Sequence, residues 1–295
     1  MKAAVVIDMG GTSLKFGHLL NEKPAGMFQS LATEALRRAR DPIVFLAEAV
    51  KTYTEQQRLE PDTLIIGVPF TPDREMTTAL SSPNIRNLEA APIKQGLEAK
   101  LGLRVVLERD INLLLLGEWY AGAARGAGDV LGMFVGTGVG GCFLQQGVPF
   151  RGASGGAIEL GHIPIRAEGR VCVCGNVDCL EAYACGHTLV ALAERYDTEV
   201  AQIFEADHPL LKQESEAFVR DLAYAMATAI NLFQPDLALV GGGIPAMRSF
   251  PKALFKNIFY DHLRKPVPET TVAFSWAELG SEAALWGAVA LQKKG

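Results

Sequence analysis

The residues with the clearest chemical pattern lie between Glu159 and Glu181. This stretch holds one of the five histidines and three of the five cysteines, namely His162, Cys172, Cys174 and Cys179. Three thiolates and one imidazole form the soft, tetrahedral ligand set that closes around zinc, and four protein ligands leave no position for water. We therefore predict a structural zinc ion that holds a loop. Such a site does not need the two flanking glutamates, so we expect them to accept hydrogen bonds from a polyhydroxylated ligand.

Packing, redox and disulfide roles fit the clustered cysteines less well than a metal does. A single buried cysteine is ordinarily a packing residue, and this remains the interpretation of Cys142 and Cys185. A redox role lacks the Cys-x-x-Cys pair, and a disulfide framework is not expected in a chain of 295 residues with five cysteines. The close spacing of the other three cysteines around Gly175, which permits a tight turn, favours the metal.

Composition and charge exclude several classes of function. The 295 residues are 49% hydrophobic, which suffices for two domains that share a cleft. The formal net charge is −5 and no run of lysine and arginine occurs, so we expect no nucleic-acid partner. No apolar run approaches the roughly twenty residues that span a bilayer, and a strand pattern starts at Ala3 without signal-peptide flanks. With reduced cysteines, this predicts a cytoplasmic protein with a small-molecule partner and no membrane association.

Three glycine-rich turns each follow an apolar run that is typical of a buried strand. The turns are Asp8-Met9-Gly10-Gly11-Thr12-Ser13, Gly136-Thr137-Gly138-Val139-Gly140-Gly141 and Gly241-Gly242-Gly243. Glycines leave backbone amides open to close approach by phosphate oxygens. Strand patterns return after the first two turns, with the second return placed at Cys142–Gln145, so these turns indicate hairpins. Two units of strand, glycine turn and strand suggest a duplicated architecture.

A dinucleotide-binding turn is the main alternative at Gly136–Gly141. A strand precedes this turn, and Glu159 lies near the spacing at which a ribose carboxylate is sought. That motif requires a helix directly after the glycines, so that its amino terminus faces the pyrophosphate. Here a strand pattern follows, which argues against it. The Gly-Lys-Ser/Thr ending of a P-loop is absent too.

Two aspartates lie where strands end. Asp110 follows the predicted strand Arg104–Glu108, and its carboxylate could accept the proton of a hydroxyl that attacks phosphorus. The alternative is a helix cap, because the apolar run Leu113–Leu116 follows. Asp8 could either stabilise the first glycine turn or hold Mg²⁺ through water beside phosphates.

The remaining pattern alternates strands and helices, which predicts an α/β fold. A helix is expected to begin at Asp41-Pro42, with the aspartate as cap and proline at the first helical position. We expect a small α/β domain over residues 1–117 and a large one over 118–280 that carries the zinc loop. A closing helix, capped by Ser281, returns to the first domain within residues 281–295.

Together these motifs resemble the ROK family of sugar kinases, over essentially the whole chain. The resemblance implies a two-domain actin-like, hexokinase-like ATPase fold with a duplicated core. It implies an ATP site that comprises Asp8, Gly10, Gly11, Thr12, Ser13, Gly136, Thr137, Gly138, Val139, Gly140, Gly242 and Gly243. The zinc ligands would be His162, Cys172, Cys174 and Cys179. The residues at the sugar would be Asn84, Arg109, Asp110, Glu159, His162 and Glu181, with Asp110 as catalytic base.

The implied reaction transfers the γ-phosphoryl group of MgATP to the 6-hydroxyl of a hexose, in a protein that forms a homodimer. A sugar-responsive transcription regulator of the same family is a second hypothesis. It would require a helix-turn-helix segment before the first phosphate loop, and Asp8 leaves no room for one in this sequence. A nicotinamide-dependent sugar oxidoreductase is a third, and it depends on a dinucleotide turn at Gly136–Gly141, which the strand pattern after the glycines disfavours.

Two positions depart from the family pattern. Arg109 replaces the usual asparagine before the catalytic aspartate, and a guanidinium cannot accept hydrogen bonds as an amide does. Asp178 replaces the usual glycine before the last cysteine, which is tolerated if the backbone there does not require positive φ. Within the family, three segments look most like D-allose kinases, namely Arg109-Asp110-x-Asn112, Asn231-Leu232-Phe233-x-Pro235-Asp236 and Leu263-Arg264-Lys265-Pro266-x-Pro268. Glucose, fructose and N-acetylmannosamine are the alternative sugars.

Overall fold

The computed structural model of the protein describes residues 2–294, with the side chains of residues 26–28 and 294 outside the description. The chain divides into two compact units. The first comprises Met1–Arg125, Pro149–Ala157 and Ser281–Gly295, and the second comprises Gly126–Val148 and Ile158–Gly280. The first unit therefore takes up two segments, 118–125 and 149–157, that the sequence pattern assigned to the second.

The first unit is built on one main sheet. Its strands are β1 (Ala3–Met9), β2 (Ser13–Leu20), β3 (Lys23–Ala32), β4 (Thr63–Val68), the short pair β5 (Thr71–Pro72) and β6 (Ala79–Ser81), and β7 (Arg104–Arg109). The main sheet has the order β3-β2-β1-β4-β7. β1 is antiparallel to β2 and parallel to β4, and β4 is parallel to β7. Most of β1 and all of β4 are buried, and for β1 the apolar run before the first glycine turn predicts this.

Helices cover both faces of this sheet. They are α1 (Thr33–Arg37), α2 (Pro42–Gln57), α3 (Ile93–Leu101), α4 (Asp110–Ala121) and, from the end of the chain, the closing helix Ala283–Lys294. The Asp41 carboxylate caps α2 by accepting hydrogen bonds from Ile43 N at 2.9 Å and Val44 N at 3.0 Å, which confirms the predicted helix start.

The closing helix packs on α4 at very short range. A Cβ atom at Gly117 would lie 2.0 Å from Ala283 O, and one at Gly287 would lie 2.0 Å from Leu113 O. Each helix thus presents a glycine to the backbone of the other. The contact explains why Gly117 lies inside the first unit and does not mark its end.

The second unit repeats the same sheet. Its strands are β8 (Val130–Val135), β9 (Val139–Gln145), β10 (Val148–Pro149), β11 (Leu237–Gly241) and β12 (Ala273–Trp276), and they have the order β10-β9-β8-β11-β12. β8 is antiparallel to β9 and parallel to β11, which is parallel to β12. The pairing scheme matches that of the first unit strand for strand, so the predicted duplication is confirmed.

The helices of the second unit are α5 (Leu180–Tyr183), α6 (Gly186–Arg195), α7 (Pro209–Phe233) and α8 (Lys252–Asp261), and the closing helix becomes α9 in this count. α7 buries an apolar stripe that includes Phe218, Leu222 and Met226. Within residues 2–294, no helix combines the length and the apolar character that crossing a bilayer requires.

One strand begins three residues earlier than predicted. β9 begins at Val139, so the second glycine turn contains only Gly136, Thr137 and Gly138, and the strand starts three residues before Cys142. Val139 pairs with Val135 and Gly140 with Phe134 in the hairpin register. Glycines paired inside a strand give no propensity signal, which is why the pattern placed them in the turn. A strand and no helix follows the turn, as predicted.

Candidate functional site

The first glycine turn joins β1 to β2. Gly10 N donates to Ser13 O at 2.9 Å and closes the turn. Asp8 pairs with Lys15 across the hairpin, and its Oδ2 lies 3.7 Å from the Lys15 ammonium. Burial raises the pKa of the Asp8 carboxyl above its ordinary value, and the nearby ammonium opposes that shift. A partly buried carboxylate beside a glycine turn is a suitable outer ligand for a hydrated cation.

Helix α1 fixes this turn from the side. Thr33 Oγ1 donates to Gly10 O at 2.8 Å, and Thr33 N donates to Thr12 O at 3.0 Å. Arg37 NH2 donates to Gly11 O at 2.5 Å, while its Nε donates to Asn84 O at 2.8 Å. One guanidinium therefore joins the predicted phosphate turn to the predicted sugar residue Asn84. The sequence offered no signal for Arg37, because α1 is too short to show a helical period.

Asp110 is the first residue of α4, directly after β7. It is half-buried, and its Oδ1 accepts a hydrogen bond from Ile111 N at 2.7 Å. β4 supports it closely, because a Cβ at Gly67 would lie 3.2 Å from Asp110 Cα. The carboxylate thus serves the helix start, and its place at the carboxyl end of a parallel strand is where ligand-binding residues collect in α/β sheets.

A buried polar network surrounds this aspartate within the first unit. Glu108 is 1% exposed and accepts hydrogen bonds from Asn112 Nδ2 at 2.7 Å, from Arg109 N at 3.0 Å and, at short range, from Arg151. Arg109 is also buried, and its NH1 donates to Ala157 O at 2.6 Å. The segment 149–157 is thereby tied to β7. The Arg109 guanidinium, predicted to contact sugar, uses one of its nitrogens to hold this segment.

The predicted metal ligands come together in the second unit. One ligand atom from each of His162, Cys172, Cys174 and Cys179 lies within 4.8 Å of the others. Cys172 Sγ lies 3.7 Å from His162 Nδ1, and Cys174 Sγ lies 3.7 Å from Cys179 Sγ. A tetrahedral zinc ion with Zn–S of about 2.3 Å would separate two sulfurs by roughly 3.8 Å. The spacing of these atoms therefore fits zinc, with Nδ1 as the histidine donor.

The pKa values of the three thiols are shifted in different directions when no cation is bound. Burial raises the pKa of Cys179 to about 12, and burial also raises the pKa of Cys172. For Cys174, burial acts in the same direction, but hydrogen bonds from the Asn176 amide and the neighbouring thiols lower its pKa overall. Three thiolates at this spacing repel one another, so they need a bound cation to ionise together.

A second network of hydrogen bonds stabilises the loop that carries the predicted metal ligands, residues 162–179, which is called the metal loop below. Asp178 has φ of 61°, and its carboxylate accepts hydrogen bonds from the amides of Glu168, Gly169 and Arg170 at 3.2, 3.0 and 3.0 Å and, at short range, from the Tyr183 hydroxyl. The replacement of the family's glycine was expected to be tolerated only if positive φ is not required here, and that condition is not met. Hydrogen bonding, from Tyr183 first and then from the amides, lowers the pKa of Asp178. The aspartate compensates for its backbone with contacts that glycine lacks.

Tyr183 connects this loop to helix α7. The guanidinium carbons of Arg166 and Arg170 lie 4.6 and 4.3 Å from the centre of its ring. Arg166 in turn holds Asp221 of α7, with its NH2 2.6 Å from the carboxylate. Cation–π contacts and a largely buried ion pair thus fasten the loop to the longest helix of this unit.

Glu181 lies on α5, just after the last cysteine, and contacts the second glycine turn. Its Oε2 accepts a hydrogen bond from Val139 N at 2.8 Å, and a Cβ at Gly138 would lie 2.3 Å from the same oxygen. The sequence analysis assigned the glycines of this turn to phosphate binding. At Gly138 the structure adds a second reason for glycine, which is room for the Glu181 carboxylate.

Other close contacts enclose the same turn. Gly186 N donates to Gly136 O at 2.8 Å, and a Cβ at Gly161 would lie 2.2 Å from Val139 O. Gly242, with φ of 99°, places its Cα against Val135, where a Cβ would lie 2.3 Å from the carbonyl oxygen. The second unit therefore brings together the second and third glycine turns, Glu181 and the short turn Leu160–His162 that follows Glu159.

Comparison with known proteins decides the family. The profile of the ROK family matches residues 4–295. The chain belongs to the ROK family. A glucokinase from Streptomyces coelicolor is 27% identical, with 100% of this chain and 98% of that protein covered, and an N-acetyl-D-glucosamine kinase from Vibrio cholerae is 28% identical, with 89% and 88% covered.

A solved structure agrees with this result. The ROK family glucokinase from Streptomyces griseus, crystallised with glucose and AMPPNP, superposes with a TM-score of 0.83 at 28% identity, over 100% of this chain and 99% of that chain. The predicted hexokinase-like α/β fold is confirmed by this likeness. The motif resemblance on which the prediction depended therefore extends over the whole length of the ROK fold.

Proposed function

We propose that this protein is an ATP-dependent hexose kinase that transfers the γ-phosphoryl group of MgATP to the 6-hydroxyl of its sugar. The observation that carries the proposal is the full-length relationship to ROK sugar kinases, one of which was crystallised with glucose and an ATP analogue. The glycine turns, Asp110 and the metal cluster of this chain provide the residue types that such a reaction needs.

The proposed roles follow from the geometry of each unit. In the first unit Asp110 accepts the proton of the attacking hydroxyl, and the Gly10–Ser13 turn binds phosphate oxygens through the amides that do not close the turn itself. Asp8 would hold Mg²⁺ through water, and that ion neutralises charge on the phosphates when it is bound. In the second unit Glu159, His162 and Glu181 hydrogen-bond sugar hydroxyls, with amides of the Gly136–Gly140 segment at the phosphates and Gly242 and Gly243 at the adenosine.

We also propose that His162, Cys172, Cys174 and Cys179 hold one structural zinc ion. The spacing of their ligand atoms and the three clustered thiols support it. If Nδ1 binds zinc, Nε2 of His162 is left for a sugar hydroxyl. The loop would then present His162 and Glu181 from one fixed frame.

D-allose is the proposed sugar. Two of the three segments that resemble D-allose kinases contact each other, since the Asn231 side chain donates to His262 O at 3.1 Å and accepts from Arg264 N at 2.9 Å. We therefore attribute the likeness of these two segments to D-allose kinases to the hydrogen bonds that join them. The third segment contains Arg109, which stands next to the proposed base, so Arg109 carries the distinction between D-allose and glucose.

The test is an ADP-release assay across aldohexoses, ketohexoses and N-acetylhexosamines. We expect release with ATP and at least one hexose, with the highest kcat/KM for D-allose. A higher value for glucose, fructose or N-acetylmannosamine would replace the sugar and keep the kinase. NAD reduction with sugar and without ATP, in place of ADP release, would contradict the kinase itself.

A further inference from the structure

The contact between Glu181 and Val139 joins two functions that the proposed kinase keeps separate. Val139 N is one of the backbone donors assigned to a phosphate oxygen, and Glu181 is assigned to sugar hydroxyls. In this structure the carboxylate accepts from that amide at 2.8 Å. While Val139 N donates to the Glu181 carboxylate, it is not fully available to donate to a phosphate oxygen. A carboxylate and a phosphate that approach the same N–H group also repel each other.

The packing holds the carboxylate at this place. Gly138 lies beneath Oε2 with no room for a Cβ atom, and Gly161 and Gly186 press on the backbone of the turn from two further elements. Glu181 is the second residue of α5 and directly follows the buried pair Cys179 and Leu180. The packing therefore resists even a small displacement of the turn. A ligand can more easily change the electrostatic effect of the Glu181 carboxylate than its position.

We propose that Glu181 couples the sugar site to the nucleotide site. Without sugar, the negative charge of Glu181 at Val139 N weakens phosphate binding at the second glycine turn. When hexose hydroxyls donate hydrogen bonds to Glu181, they disperse this charge, and phosphate binding becomes stronger. The inference rests on the proposed function. By thermodynamic reciprocity, the nucleotide raises sugar affinity by the same factor.

Two substitutions of Glu181 separate the effect of its negative charge from the effect of its hydrogen-bond acceptor. Glu181→Gln keeps an oxygen that accepts from Val139 N and removes the negative charge. Glu181→Ala removes both the charge and the acceptor. If the contact only stabilised the fold, the glutamine variant would bind nucleotide like the wild type, whereas a coupling charge requires both variants to bind it more tightly when sugar is absent.

The experiment is calorimetric titration with magnesium and AMPPNP, first without sugar and then with saturating D-allose or, separately, D-glucose. Glu194→Gln is the matched control, because it removes an exposed carboxylate of the same unit. Without sugar, we expect both Glu181 variants to bind AMPPNP about tenfold more tightly than the wild type and the control, a difference of about 1.4 kcal/mol. In the wild type, the sugar that binds should raise AMPPNP affinity by a similar factor.

Each outcome decides the proposal. Equal sugar-free affinities for wild type and Glu181→Gln would overturn the coupling and leave the kinase intact. Tighter binding by the variants supports it. No AMPPNP binding by any form, with or without sugar, would overturn the proposed function and the coupling together, and thermal unfolding of each variant identifies any that fails to fold.

Discussion

Asp110 is the residue on which the proposed chemistry depends most. We predict that Asp110→Asn lowers kcat by roughly 10²-fold to 10⁴-fold, the range for loss of a general base, with a smaller change in KM for the sugar. Asparagine can still accept from Ile111 N, so the start of α4 is preserved and the melting temperature should change little. Steady-state ADP release measures both constants. Near-normal turnover in the folded variant would remove Asp110 from this role.

Asp178 provides a test at the level of a single backbone angle. Its φ of 61° favours glycine, so Asp178→Gly relieves strain but removes an acceptor of three amides and a hydroxyl. We predict a net loss of about 2 kcal/mol in the free energy of unfolding, measured by urea titration.

The control for this prediction is Asp197→Gly. Asp197 has φ of 49° and is exposed, so the same relief comes without loss of a buried network. Its variant should be neutral or slightly stabilised. Equal effects of the two substitutions would mean that the Asp178 network contributes nothing beyond its backbone angle.

At this scale the sequence predicted the types of functional residue better than their contacts. The cluster of one histidine and three cysteines could be predicted because the chemistry of these residues is restrictive and their spacing is short. The roles of Arg37 and Arg109 could not, because each guanidinium reaches a carbonyl that is distant in sequence, Asn84 O and Ala157 O. Positive φ at Asp178 has no composition signal when the residue is not glycine.

Loss of the metal loop should affect more of the protein than loss of any other element. This loop has few buried apolar residues, so we expect the proposed zinc ion and the Asp178–Tyr183 network to define its shape. We predict one zinc ion per chain by metal analysis of freshly prepared protein. Cys174→Ser should lower this content severalfold and abolish most activity, because His162 and Glu181 lose their common frame.

Cys142→Ala is the control for the metal loop. Cys142 is buried in β9 and does not belong to the cluster of four ligands, so the variant should retain its zinc and its activity. Zinc content near zero in active wild-type protein would contradict the metal assignment.

Among the elements, those with local signals were predicted well. The cap at Asp41 and the proline after it placed α2, and the apolar runs before the three glycine turns placed β1, β8 and β11. The sequence pattern missed β3, β12, α1, α3 and α8, together with the short elements β5, β6, β10 and α5. β3 and β12 lie at the edges of their sheets, and α1 spans only Thr33–Arg37, so none of these carries a strong period.

At the level of the whole molecule, the duplication was visible only as two glycine hairpins. Its proof is the pairing order of the two sheets, which depends on contacts between strands far apart in the chain. The unit boundaries illustrate the same limit. Segment 149–157 joins the first unit through Arg151 to Glu108 and Arg109 to Ala157, and none of these partners is adjacent in sequence.

The most direct test of the central claim identifies the product. The protein is incubated with MgATP and the hexose that gives ADP release, and the sugar product is examined by ³¹P and ¹H NMR. We predict a phosphate monoester on carbon 6, formed in equal amount to ADP. Phosphate on the anomeric carbon, or inorganic phosphate with unmodified sugar, would contradict the assignment of this protein as a hexose 6-kinase.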